Sequence, residues 1–169
     1  DLHYADASRF LEESDQEFDL AIIDVPDPLE EGPAYMLFTQ EFYRLLRKSL
    51  ASGGMMVAQA GPTGPAFAQQ CFSAVAKTVQ SVFTNVYMCE AFVPSFGSTW
   101  GFVVGSLGPD PSGLSAKEVD QRITERIDGK LGFYDGITNR GMFSVPKYLR
   151  NALASQKRVI TRDNPLFVV

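Results

Sequence analysis

At 169 residues, with 45% hydrophobic and 21% charged side chains, the chain has the length and balance of one globular domain with one core, which excludes a disordered or fibrous protein. Its net charge of −5 argues against sequence-independent nucleic-acid binding, which needs a basic surface to release counterions, and suits cationic small molecules instead. Cys71 and Cys89 lack metal-ligand spacing and His3 is the single histidine, so no zinc cluster is expected; a reduced, cytoplasmic protein is, and no run approaches the ~20 apolar residues of a membrane span.

Residues Leu2 to Tyr4 read as the end of a strand, and with no initiator Met the chain is expected to begin inside a domain. A short helix over Ala7–Glu13 and a strand over Phe18–Asp24 follow, then a Pro/Gly/Glu loop to Ala34. Leu37, Phe38, Phe42, Leu45 and Leu46 keep helical spacing, which predicts a helix near Tyr35–Leu50 that Ser52-Gly53-Gly54 stops. Met55–Ala60 is the next apolar strand, and Gly61-Pro62-Thr63-Gly64-Pro65 turns the chain into a long helix over Ala66–Phe83. Two further strands, Val86–Val93 and Trp100–Ser106, flank the turn Pro94-Ser95-Phe96-Gly97. Strand alternating with helix predicts a doubly wound α/β fold, mostly parallel, finished by an antiparallel edge hairpin. This core is expected over residues 1–107. A helical tail over 108–169 would start with a capping box, Ser115 to Glu118, ahead of a helix at Ala116–Ile127, and end with a helix from Pro146 to Leu153.

The chemistry concentrates in Asp24-Val25-Pro26-Asp27-Pro28, which sets two carboxylates at the end of the apolar strand. The carboxyl ends of such strands are where open α/β sheets bind ligands. A carboxylate leaving an apolar strand is costly without a partner, and a cationic substrate supplies one. The alternative is an Asp that caps the following turn.

Phe18-Asp19-Leu20-Ala21-Ile22-Ile23-Asp24-Val25-Pro26-Asp27-Pro28, Gly32-Pro33-Ala34, Leu37-Phe38-Thr39, Glu41-Phe42-Tyr43 and Gly53-Gly54 through Gln59-Ala60-Gly61 together resemble the polyamine aminopropyltransferases, the spermidine synthase family. The resemblance continues through Val93-Pro94-Ser95-Phe96, Trp100-Gly101-Phe102, Phe133-Tyr134-Asp135-Gly136 and Val145-Pro146-Lys147-Tyr148. The stretch Asp27 to Pro33, two residues longer than the usual spacing, looks more like the thermospermine synthase branch.

The resemblance implies a Rossmann-like fold of the S-adenosylmethionine methyltransferase type whose N-terminal part is absent, since no glycine-rich loop or ribose-binding acid stands in this chain. It implies transfer of an aminopropyl group from decarboxylated S-adenosylmethionine, a co-substrate and not a permanently bound cofactor, to putrescine or spermidine. It also implies a cytoplasmic homo-oligomer, dimer or tetramer, with no nucleic-acid or membrane partner. An amine nucleophile must first lose a proton, so Asp24 is the candidate catalytic carboxylate and Asp27 the candidate anchor of the amine. Gln59 and Phe96 complete the expected substrate contacts, although Phe96 stands where the family commonly has a Tyr. Asp6, Ala7, Pro33, Ala34 and Leu37 are the expected donor-binding residues; Asp6 as a helix N-cap and Leu37 as plain core are the alternatives. Tyr134 and Asp135 resemble a family pair but read better as structural. An S-adenosylmethionine-dependent methyltransferase and a non-catalytic polyamine-binding homologue stay open beside this reading.

Overall fold

The computed structural model describes residues 1–30 and 32–168, the side chain of Pro33 excepted. One sheet carries four strands, β1 (Phe18–Ile23), β2 (Leu50–Pro62), β3 (Asn85–Val93) and β4 (Ser98–Ser106), in the spatial order β1-β2-β4-β3. β1 and β2 run parallel, with Ile22 opposite Val57 and Ile23 opposite Ala58. β4 pairs antiparallel with both β2 and β3, so the expected hairpin is present and its β3 strand forms one edge. Within these four strands the antiparallel pairings are two and the parallel pairing one.

Six α-helices are described: α1 (Ala7–Glu13), α2 (Gln40–Lys48), α3 (Cys71–Gln80), α4 (Ala116–Arg126), α5 (Gly136–Phe143) and α6 (Lys147–Ser155). Period-two burial along β2 sends Met56, Ala58 and Ala60 to one face and Met55, Val57 and Gln59 to the other. The first face is the core. Phe42, Tyr43 and Leu46 of α2, Phe72, Val75 and Val79 of α3 and Leu149 of α6 join those β2 residues and Val103 in one buried cluster. Gly101 is where the helix layer comes closest: a Cβ there would meet the Phe72 ring at 2.2 Å, so only glycine lets that ring lie on the sheet. The tail belongs to the same core, since Ile160 and Leu166 join the cluster and the Ile160 amide donates to Thr78 Oγ1 at 2.9 Å.

On the opposite face, α4 and α5 lie toward the β3–β4 side, with Met55 at the bottom of the cleft they make. Over β1 the face is bare: Leu20 is 52% exposed and Ile22 68%.

Several sequence expectations need correction. Leu2 to Tyr4 is not a strand; the residues are exposed, and no described strand lies on that flank of β1 to pair with them. The helix expected over Tyr35–Leu50 is a 3-10 turn, Pro33–Phe38, followed by α2. Thr39 divides them, its hydroxyl donating to the Met36 carbonyl at 2.7 Å and accepting from the Phe42 amide at 3.4 Å, so it ends one helix and caps the next. The helix expected over Ala66–Phe83 is shortened to α3. Residues 64–70 form successive tight turns instead, Phe67 N to Gly64 O at 2.8 Å and Gln70 N to Phe67 O at 2.9 Å, and Gln70 itself has ψ of −105°, outside the helical region. β2 begins at Leu50, five residues earlier than the expected strand, because Phe18 pairs with Leu50 ahead of an irregularity in the register. α5 has no counterpart in the sequence reading. The capping box at Ser115 and Glu118 is present as expected.

Candidate functional site

Parallel pairing brings the carboxyl ends of β1 and β2 side by side, and the chain leaves β1 directly into Asp24. Asp24 is exposed, Val25 packs against the core, and Pro28 is buried, so the stiff segment between them carries Asp27 to a half-buried position. The turn closes through the Leu29 amide on the Asp27 backbone carbonyl at 2.9 Å, which leaves the Asp27 side chain out of the turn. Its Oδ1 is buried and has no hydrogen-bond partner among the described residues.

Asp27 lines a cavity of about 110 Å³ together with Pro62, Phe67, Gln70, Cys71 and Val168. Burial first, and then the charge of Asp27, pushes the Cys71 thiol up to about 12, so this neighbour is a neutral thiol at physiological pH and offers no cation. The single ion pair among the described residues, Arg9–Glu13, lies elsewhere, on α1. The strand end therefore presents two carboxylates that the described residues leave without a counter-charge, one of them with a sealed oxygen. A bound ammonium would satisfy both the charge and the missing donor.

Gln59 sits one position beyond the Ile23–Ala58 pair. Its Oε1 accepts from the Gly61 amide at 2.8 Å and its Nε2 donates to the Val25 carbonyl at 3.5 Å. The amide thus braces the loop that carries both carboxylates, with the longer contact free to yield to a ligand. Phe96 closes the 3-10 turn Pro94–Phe96, is 57% exposed, and packs on Trp100 with ring centroids 4.6 Å apart. Trp100 pairs with Pro62, so this apolar wall stands at the same end of the sheet as Asp27.

The other expected residues are further apart in role. Asp6 is the N-cap of α1, accepting from the Arg9 amide at 2.9 Å, and Ala7 opens that helix. Both are exposed; Asp6 lines an open groove walled by its own segment between His3 and Ser14. Ala34 is buried and Leu37 packs against the core, while the side chain of Pro33 lies outside the described residues. Tyr134 accepts from Asn139 Nδ2 at 2.7 Å, and Asp135 caps α5 through the Thr138 amide at 2.7 Å, which holds its carboxyl below the usual range. These are structural tasks.

Sequence reasoning missed a polar network beside the site. Thr63, fully buried one residue after β2, donates to Glu90 Oε2 at 2.6 Å and shares a hydrogen bond with Thr99 Oγ1 at 2.9 Å. Tyr148 donates to the Thr63 carbonyl at 2.9 Å, and burial followed by the charge of Glu90 raises the phenol. The network ties β2, β3, β4 and α6 together where β2 ends. Glu90 inside the apolar run Val86–Val93 was the available signal, of the same kind as Asp24.

A family model described as the spermine/spermidine synthase domain matches residues 1–110. The polyamine aminopropyltransferase of Sulfolobus acidocaldarius is 38% identical over 161 residues, 95% of this chain and 53% of that protein. That of Sulfurisphaera tokodaii is 40% identical over 163 residues, with 96% and 53% covered. The chain spans about half the length of the curated relatives it matches. Among solved structures, spermidine synthase in complex with the transition state analogue AdoDATO superposes with a TM-score of 0.74 at 23% identity, covering 88% of this chain and 49% of that one. The enzyme from Thermotoga maritima gives 0.70 at 21% identity, covering 90% and 49%. The fold is the methyltransferase-like α/β fold of those structures.

Proposed function

The chain belongs to the spermine/spermidine synthase family, and on that premise we propose that the full-length protein transfers the aminopropyl group of decarboxylated S-adenosylmethionine to a di- or polyamine, putrescine or spermidine, releasing methylthioadenosine. The observation that carries the proposal is the pair of carboxylates at the end of β1, with no cation beside them among the described residues and with Asp27 Oδ1 buried without a partner.

Each residue has a role in that reaction. An alkylammonium with a reference pKa of about 10.4 is a nucleophile only after it loses a proton, and Asp24, open to solvent, accepts that proton or orients the ammonium as water takes it. Asp27 anchors a second ammonium of the same acceptor, fixing the line of attack. The amine nitrogen then attacks the methylene carbon next to the sulfonium, and the carbon–sulfur bond breaks with its electron pair going to sulfur. Sulfur loses its positive charge in the transition state, so carboxylates serve the reaction better near the amine than near sulfur. Gln59 holds the Asp24–Asp27 loop, and the Phe96 wall shields the alkyl chain of the acceptor. Asp6, Ala7, Pro33, Ala34 and Leu37 are assigned to the adenosyl side of the donor. No described helix is long and apolar enough to cross a membrane, and a cytoplasmic homo-oligomer completes the proposal.

The test is donor discrimination with putrescine and spermidine as acceptors. Methylthioadenosine formed from the decarboxylated donor, and not from S-adenosylmethionine, supports the proposal. Methyl transfer from the carboxylated donor overturns it in favour of a methyltransferase, and polyamine binding without turnover of either donor overturns it in favour of a binding protein.

A further inference from the structure

The face of the sheet opposite the core holds a second cleft, of about 320 Å³, bounded by α4, α5 and the Pro109–Pro111 loop, with Met55 of β2 at its base. That volume is within the range of small-molecule sites. Its walls are apolar, with Met55, Val119 and Ile123 among them, and Arg122 and Arg126 stand on its rim one helical turn apart on α4. In a chain of net charge −5, neither arginine forms an ion pair among the described residues.

Two acids near this rim accept hydrogen bonds of their own. Asp110 lines the cleft, but its Oδ1 accepts from both the amide and the hydroxyl of Ser112, at 2.8 and 2.6 Å. Glu118 accepts from both the amide and the hydroxyl of Ser115, at 2.8 and 2.6 Å, which first of all holds its carboxyl below its usual range. Inside, Asn139 lines the cleft and is 6% exposed; its Nδ2 reaches Tyr134 Oη and its Oδ1 has no partner. A buried amide with an unfilled valence, an apolar wall and two unpaired guanidinium groups are three complementary demands.

We propose that this cleft binds a small organic anion with a flat apolar body, its carboxylate or phosphate held by Arg122 and Arg126 and a polar ring atom turned toward Asn139. The site is separate from the Asp24–Asp27 end of the sheet, with no residue shared between its lining and the cavity at Asp27.

The test is isothermal titration of the full chain with indole-3-propionate, which carries a carboxylate, an apolar ring and one N–H donor, beside its neutral alcohol counterpart 3-(indol-3-yl)propan-1-ol. The carboxylate should bind about tenfold more tightly at low salt, and the preference should shrink as salt screens the rim. Arg122→Gln with Arg126→Gln, both at exposed positions, should bring the two probes to equal affinity with an unchanged circular dichroism spectrum. Ile123→Trp, which fills the cleft, should remove binding of both. Equal affinity for the two probes in the unmodified chain, a preference that survives the double arginine variant, undiminished binding by Ile123→Trp, or no binding at millimolar probe would each overturn the proposal.

Discussion

Replacing Asp27 with Asn separates a substrate anchor from a turn residue, because the two roles move stability and kinetics in opposite ways. The turn at this position closes through backbone atoms, and the side chain contributes a buried, unpartnered Oδ1 beside a neutral Cys71 thiol. Holding a carboxylate there without a donor is unfavourable, so losing its charge should leave the folded state as stable as before or slightly more so. Binding should suffer. A unit-charge pair 4 Å apart at an effective dielectric of about 20 is worth about 4 kcal/mol before desolvation, and charged hydrogen bonds retain a net of about 1.5–3 kcal/mol. That range corresponds to a rise of about 10- to 150-fold in the KM of the amine. Because the anchor is gripped in ground and transition states alike, kcat should change much less. The assay is steady-state kinetics of the full-length protein with putrescine and spermidine, together with urea denaturation of the same variant. An unchanged KM together with lost stability would refute the reasoning and return Asp27 to the turn.

Asp24→Asn should lower turnover by about 10²–10⁴-fold while methylthioadenosine binding, measured by titration calorimetry, stays as it was; a variant keeping half its rate ends the proposed proton-accepting role. Stability should fall at high pH, since burial raises Cys71 to about 12 and Cys89 to about 11 from an ordinary value of 9.0 and raises Tyr43 as well, so the unfolded chain loses these protons first. The contribution of each thiol is whole below pH 9 and declines by about 1.4 kcal/mol per pH unit up to its folded value; Cys71→Ala should flatten the slope in urea melts, and an unaltered slope would deny that the thiol is buried neutral. Phe72→Ala should cost about 3–5 kcal/mol, because its ring is fully buried over Gly101, and a loss under about 1 kcal/mol would contradict that packing.

How much of this was readable in advance depended on where the physical cost of each residue falls. Asp24 could be read from sequence because a carboxylate at the end of Phe18–Ile23 violates a local apolar pattern, and the structure does put it at the carboxyl end of a parallel strand beside Gln59. Glu90 obeys the same rule within β3, although its partner Thr63, and Thr99 behind it, become evident only once β2 and β4 are adjacent. Along the chain Asp6 reads equally as ligand and as cap; its Oδ1 accepts from the Arg9 amide, which fills the capping role.

The misread helices show the complementary case. Periodicity carries the helical reading straight through Thr39 and from Ala66 through Gln70, because hydrophobic spacing cannot register a hydroxyl that prefers a carbonyl three residues back, or two consecutive tight turns. α5 was invisible for the opposite reason. Gly136 and Gly141 weaken its helical pattern, yet Gly136 is required, since a Cβ there would fall 2.0 Å from the Ala116 carbonyl oxygen of another helix.

The cavity at Asp27 marks the boundary of sequence inference most sharply. Its walls come from positions as distant as Pro62, Cys71 and Val168, and Val168 is held in place by its amide on the Pro28 carbonyl at 3.0 Å. Neither Pro62 nor Val168 carries chemistry that would single it out along the chain. Each acquires a part in the site only because the fold closes on a carboxylate whose need for a partner was already written into the strand end.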